Sequence, residues 1–265
     1  MADFTEMTTG WILGWVRRVS RKQALHALVR EYHRVINFDS RVFFDPQCIQ
    51  NRPEYHSVPG TDISEKIVEY ANRAFAIDEV FKFETLDIQI KDLPEKYIAE
   101  FDVVYSFPVL DFCNDIRQGF ENIYNILRPG GTFCMVWVFS HEMFKIIEIM
   151  VENKRFASYL YKYNVPFLDT DTPHIVLKEL LRSIGFTVYY CNTQNVNIDS
   201  LCDTLPFIIM SDFSFMYDMP SDRAKNFKKE FIGEYVKMTK GKYTHNDKSL
   251  TMDTYKVLIV NARKT

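Results

Sequence analysis

The sequence predicts an α/β fold, a doubly wound and mostly parallel sheet with helices on both faces. Three observations carry this expectation. Strand-like and helix-like segments alternate through the first two-thirds of the chain, and repeated β–α units pack as parallel strands joined by right-handed crossovers. Residues 132–139 (TFCMVWVF) form an unbroken apolar run, the pattern of a strand buried on both faces. The 265 residues include 22 Phe and 15 Tyr, enough for a large aromatic core and unlike a disordered chain.

The elements follow in order. Residues 11–16 (WILGWV) are apolar, but a membrane span takes about 20 apolar residues. Arg17 and Arg18 follow this run, whereas a signal peptide carries its basic residues first. We read a short amphipathic helix there. Residues 21–38 read as a helix, with Ala24, Leu25, Leu28, Val29, Tyr32 and Ile36 on one face. Residues 41–45 (RVFFD) are a short buried strand ending in Asp45, and 57–63 (SVPGTDI) a strand ending at Asp62. Ser64 can cap the helix that follows, which turns Ile67, Val68, Ala71 and Phe75 inward.

Strands are expected at 80–86 and 101–107. Residues 115–127 place Phe120, Ile123, Tyr124 and Leu127 at helical spacing, and Arg128-Pro129-Gly130-Gly131 ends that helix. Thr172, with Pro173 in the first helical position, opens a helix that closes at Gly185. Residues 186–191 read as a strand, 199–217 and 221–239 as helices, and 255–262 as a final strand.

Charge and cysteine usage narrow the function. A net charge of -3 argues against a nucleic-acid partner. Cys48, Cys113, Cys134, Cys191 and Cys202 are scattered, with no C-x-x-C pair, so no structural zinc site is expected. An odd, unclustered set fits a reducing compartment. The expectation is a cytoplasmic protein without a membrane span, of open oligomeric state. In doubly wound sheets ligands bind at the carboxyl ends of the strands, which singles out Asp45, Asp62, Asp87 and Ser106. A carboxylate at the Asp62 position can accept hydrogen bonds from a ribose diol; it can equally serve as a helix cap.

Residues 60–72 (GTDISEKIVEYAN) resemble the acidic second-strand motif of class I methyltransferases. Residues 84–88 (ETLDI) resemble the motif after it, 101–107 (FDVVYSF) the fourth strand, and 117–131 (RQGFENIYNILRPGG) the helix and turn beyond. With residues 179–191 and 255–264, this order and spacing is most similar to the juvenile hormone acid methyltransferase group of arthropods. The resemblance implies a Rossmann-like seven-stranded sheet whose last strand is antiparallel. It also implies S-adenosyl-L-methionine (SAM) as cofactor, and methyl transfer to the carboxylate of a lipophilic acid, farnesoid or fatty. Cofactor contacts would fall on Asp45, Asp62, Ile63, Asp87, Ile88 and Ser106, and substrate contacts on Arg21, Asp111 and Phe112. The chain then reads as one domain: a helical cap at 1–38, a SAM-binding half at 39–140, and substrate-side helices and final strands at 141–265.

Three places depart from the family pattern. Residues 45–51 (DPQCIQN) stand where a glycine-rich loop is expected; Pro46 lacks an N–H, and Gln47, Ile49 and Asn51 carry side chains at glycine positions. Arg21 replaces a Gln that helps hold the substrate carboxylate; it can bind a carboxylate bidentately or lie on a helix surface. Leu110-Asp111-Phe112 replaces Leu-His-Trp, so an indole donor is lost and a negative charge added. The apolar residues 205–217 (LPFIIMSDFSFMY) can cap a hydrocarbon pocket or pack on the sheet. The departures support a second reading, a catalytically inactive relative that binds a lipophilic ligand or a partner.

Overall fold

An apolar strand needs a neighbour on each edge, and residues 132–139 find both. In the computed structural model they lie within β5 (Leu127–Ser140), hydrogen-bonded in parallel to β4 (Phe101–Ser106), with Val104 opposite Phe133 and Ser106 opposite Met135. The structure describes residues 13–18, 56–63, 81–106, 113–160, 170–201, 219–239, 243–245 and 248–265, with single positions between them. The remaining elements are β1 (Leu13–Arg18), β2 (His56–Asp62), β3 (Phe81–Thr85), α1 (Ile116–Ile126), α2 (Glu142–Glu152), α3 (Ala157–Leu160), α4 (Pro173–Ile184), β6 (Phe186–Leu201), α5 (Ser221–Thr239), β7 (Tyr243–His245) and β8 (Lys248–Lys264).

Strand order is β3-β2-β1-β4-β5-β8-β6, with β7 paired to β8 off this path. The α/β class stands, but the sheet is mixed. β2 is parallel to β3, whereas β1 is antiparallel to both β2 and β4. This corrects the helix expected at 11–16: Leu13–Arg18 is a strand. The ladder edges of β2 and β4 require a partner, and LGWVRR, with its aromatic and β-branched residues, fits a pleated slot as well as a helix.

Residues divide into two compact units. One comprises 11–137, 170–194 and 258–265. In it α1 buries Phe120, Ile123 and Ile126 completely, and Phe120 meets Phe133 edge-on at 6.0 Å. Asp115 caps α1, its Oδ1 accepting from the Gln118 N–H at 3.0 Å. The far end of α1 is closed by Lys264, whose Nζ donates to the carbonyls of Tyr124 (2.8 Å) and Leu127 (2.9 Å). Arg263 Nε donates to the Gly130 carbonyl at 2.9 Å, across a turn where Gly130 has φ +79°. α4 starts on Pro173 and stops at Gly185, whose φ of +123° suits glycine. At the sheet edge, Asn72 satisfies β3 with one side chain. Its amide donates to the Phe83 carbonyl at 2.8 Å and its oxygen accepts from the Phe83 N–H at 2.9 Å, which removes two groups from an otherwise exposed edge.

The other unit draws on 138–169 and 195–257. Its core is α2 against α5: Phe144, Ile146 and Ile147 of α2 and Phe227, Phe231 and Tyr235 of α5 are fully buried. Phe156 stands edge-on to Phe227 at 5.2 Å, and Arg155 pairs with Glu230 at 2.7 Å. The sequence reading did not anticipate α2 or α3. It also placed 199–217 in a helix, but Asp199, Ser200 and Leu201 end β6. Residues 21–38 and 41–45, and most of 202–217, lie outside the described residues. Among the described residues no helix is long and apolar enough to cross a membrane.

Candidate cofactor site at the strand ends

Three strands end at one edge of the sheet, and their registers bring the predicted residues together. β2 ends at Asp62, opposite Thr85 at the end of β3. β4 ends at Ser106. Leu13, the first residue of β1, is opposite both Thr61 and Ser106. Asp62 and Ser106 therefore flank a single intervening strand, two strand spacings or roughly 10 Å apart. Asp62 is held in place through its backbone, its carbonyl accepting from the Leu86 N–H at 2.9 Å. The side chain is 9% exposed. Ile63, the next residue, is 60% exposed, so its side chain is available at the rim.

Ser106 is 1% exposed, and among the described residues its hydroxyl has no hydrogen-bond partner. An unmet buried hydroxyl is destabilising by about 1–3 kcal/mol. Such a group calls for a partner, which a bound water or a ligand can supply.

The loop after β3 carries Asp87 and Ile88. Asp87 Oδ1 accepts from the Gln89 N–H at 2.9 Å and from the Gln89 side-chain amide at 3.4 Å, and the Asp87 carbonyl accepts from the Ile90 N–H at 3.1 Å. Among the described residues, neither Asp87 Oδ2 nor the Ile88 N–H has a protein partner. The loop thus presents an acceptor beside a donor, the pairing that recognises an amine next to a ring nitrogen. Ile88 itself is buried, 6% exposed, and its side chain packs at 3.9 Å from the position a Cβ would take on Gly119 of α1.

Sequence reasoning missed what holds this loop. Asn122 of α1 is 1% exposed, and its amide donates to the carbonyls of Ile88 and Ile90, both at 2.7 Å. Its oxygen accepts from Gln118 at 3.2 Å, and Gln89 Oε1 accepts from the Asp115 N–H at 2.8 Å. The available signal was a carboxamide on the otherwise apolar face of an amphipathic helix, where burial demands partners. On β3 itself, burial pushes the Glu84 carboxyl up, but hydrogen bonds from Lys96 (2.6 Å) and Tyr97 outweigh it and hold the acid below its ordinary value of 4.5.

The structure brings Asp62, Ile63, Asp87, Ile88 and Ser106 to one edge. Asp45, Arg21, Asp111 and Phe112 lie outside the described residues.

Residues 44–133, which contain these strand ends, match the family model described as a methyltransferase domain. That match covers about a third of the chain. The chain is similar to the juvenile hormone acid O-methyltransferase of Drosophila melanogaster, 28% identical over 211 residues that cover 78% of this chain and 71% of that one. The enzyme of the same name from Bombyx mori is 26% identical over 225 residues, covering 79% and 77%. A shorter likeness, 32% identity over 76 residues, links 29% of this chain to 3% of the non-reducing polyketide synthase mapC of Penicillium brevicompactum.

Proposed function

We propose that this protein binds SAM at the strand-end edge and transfers its methyl group to the carboxylate of a lipophilic acid, farnesoid or fatty. The observation that carries the reading is the buried Ser106 hydroxyl, without a partner among the described residues and at the same edge as Asp62 and Asp87. The two O-methyltransferases similar over more than three-quarters of this chain support it. In this reading Asp62 accepts from a ribose diol. Asp87 Oδ2 accepts from the adenine amine while the Ile88 N–H donates to the neighbouring ring nitrogen. Ser106 lines the methyl-donor end.

Bound SAM would supply an electrophilic methyl on a sulfonium sulfur, which the acceptor's carboxylate oxygen would take with S-adenosylhomocysteine as the other product. An ionised carboxylate is already nucleophilic, so the protein needs no general base. Its task is to exclude water and hold the two reactants in line, an effect worth as much as about 7–11 kcal/mol of barrier.

Calorimetric titration of SAM and S-adenosylhomocysteine, followed by transfer of labelled methyl to a panel of isoprenoid and fatty acids, tests the proposal. Micromolar binding with transfer to an acid is expected. Binding without transfer favours the second reading, an inactive relative that holds a lipophilic ligand or a partner. That reading is motivated by Gln47, Ile49 and Asn51 at glycine positions and by Asp111 beside the expected acid.

A further inference from the structure

Two unrelated side chains hold the loop after β3, and both originate on or against α1. Asn122 spends both donors of its amide on the Ile88 and Ile90 carbonyls at 2.7 Å. Gln89 reaches in two directions, its oxygen to the Asp115 N–H at 2.8 Å and its nitrogen to Asp87 Oδ1 at 3.4 Å. The consequence is geometric. With Oδ1 occupied by Gln89, the Asp87 carboxylate is fixed in rotation and offers Oδ2 alone. The peptide that carries the Ile88 N–H also carries the Asp87 carbonyl, which accepts from the Ile90 N–H at 3.1 Å; by clamping the carbonyls of residues 88 and 90, Asn122 fixes the peptides that follow and so holds this turn in place. An acceptor and a donor on consecutive residues are therefore both held by the contacts of the loop.

We propose that Asn122, with Gln89, is a positioning residue that makes this loop selective for adenine over an oxo-purine, an inference that rests on the SAM reading above. Adenine presents a donor amine beside an acceptor nitrogen. Hypoxanthine presents a carbonyl and a ring N–H in the same places. Against a locked loop the oxo-base meets acceptor with acceptor and donor with donor, and leaves two buried groups unmet. Against a loosened loop, rotation of the peptide or carboxylate relieves both mismatches. Asn122 touches neither ligand nor reacting atoms; it acts only through the loop.

The test compares binding of S-adenosylhomocysteine with S-inosylhomocysteine by calorimetry, in the wild-type protein, in Asn122→Asp and in Gln89→Met, each checked for folding by circular dichroism. Asn122→Asp keeps the size but loses both donors; Gln89→Met keeps the length on a partly exposed site and loses both amide contacts. The wild type is expected to prefer the adenosyl ligand on the order of ten- to a hundredfold, and each folded variant to fall below about threefold. A purely structural role would weaken both ligands alike and leave the ratio unchanged, so folded variants with the wild-type ratio overturn the proposal. Should Asn122→Asp not fold, Gln89→Met decides alone. If the wild type binds neither ligand, the SAM reading itself fails and the proposal falls with it, an outcome distinct from binding with an unaltered ratio.

Discussion

Ser106 and Glu84 show how single side chains betray a site or a scaffold. The Ser106 hydroxyl is buried and, among the described residues, unpartnered, so Ser106→Ala removes an unmet group with little change of volume. The ligand-free protein is expected to gain about 1 kcal/mol in urea unfolding, while affinity for S-adenosylhomocysteine falls. A loss of stability would mean that the hydroxyl has a partner in the native protein and serves the scaffold instead. Glu84 is the opposite case, an acid whose Oε2 accepts from both Lys96 and Tyr97. Its carboxyl is held below 4.5 in the folded chain, so its contribution is complete above that value and is lost as pH falls through the lower, folded value. Melting temperatures between pH 5 and pH 3 are expected to fall less steeply in Glu84→Gln than in the wild type. That Asp62 and Ser106 end strands was legible in the sequence, because an apolar run that stops at a polar residue marks a strand end whatever the packing. Asn122 was not, because its role depends on which loop the helix face meets, and that is a tertiary fact.

At the scale of elements, helix ends were the most legible feature. Thr172-Pro173 and Gly185 bracket α4 as expected, and Asp115 opens α1. The chemistry of a cap is local, so a few residues specify it. β1 was misread because six residues with two aromatic or β-branched members suit either state, and the edges of β2 and β4 decide between them. β6 runs on to Leu201 past the predicted end for a related reason: the polar residues 192–195 (NTQN) interrupt the apolar pattern, and ladder pairing carries the strand across them. The cap at Gly185 invites a direct check. A Cβ there would sit 3.0 Å from the Tyr124 hydroxyl, at a φ of +123° that side chains rarely adopt. Gly185→Ala is expected to destabilise the fold by about 1–3 kcal/mol, read as a lowered midpoint in chemical unfolding. Gly233→Ala, where no atom lies within 4 Å and the residue is in mid-helix, should instead be stabilising by about 0.4–1 kcal/mol.

For the whole molecule, the α/β class followed from alternation alone, since repeated β–α units have few stable packings. The mixed direction of the sheet did not, because a strand carries no label of its direction. A ligand held at the edge of Asp62, Asp87 and Ser106 binds only where all three strands are in register, and so only the folded chain. By linkage, S-adenosylhomocysteine at 100 times its dissociation constant is expected to add about 2.7 kcal/mol. In a chain of this size that is roughly 5–10 °C in melting temperature, measurable by scanning calorimetry. No shift at millimolar ligand would contradict the proposed site.

The clasp formed by Arg263 and Lys264 has a consequence for synthesis. Lys264 closes the end of α1 across 137 to 140 residues of chain, and Arg263 reaches Gly130 across 133. While the ribosome is still making β6 or α5, the carbonyls of Tyr124, Leu127 and Gly130 have nothing from Arg263 or Lys264 to bind. Until residues 263 and 264 have been made, the nascent chain therefore carries an open joint beside the rings of Phe120, Tyr124, Phe133 and Phe186.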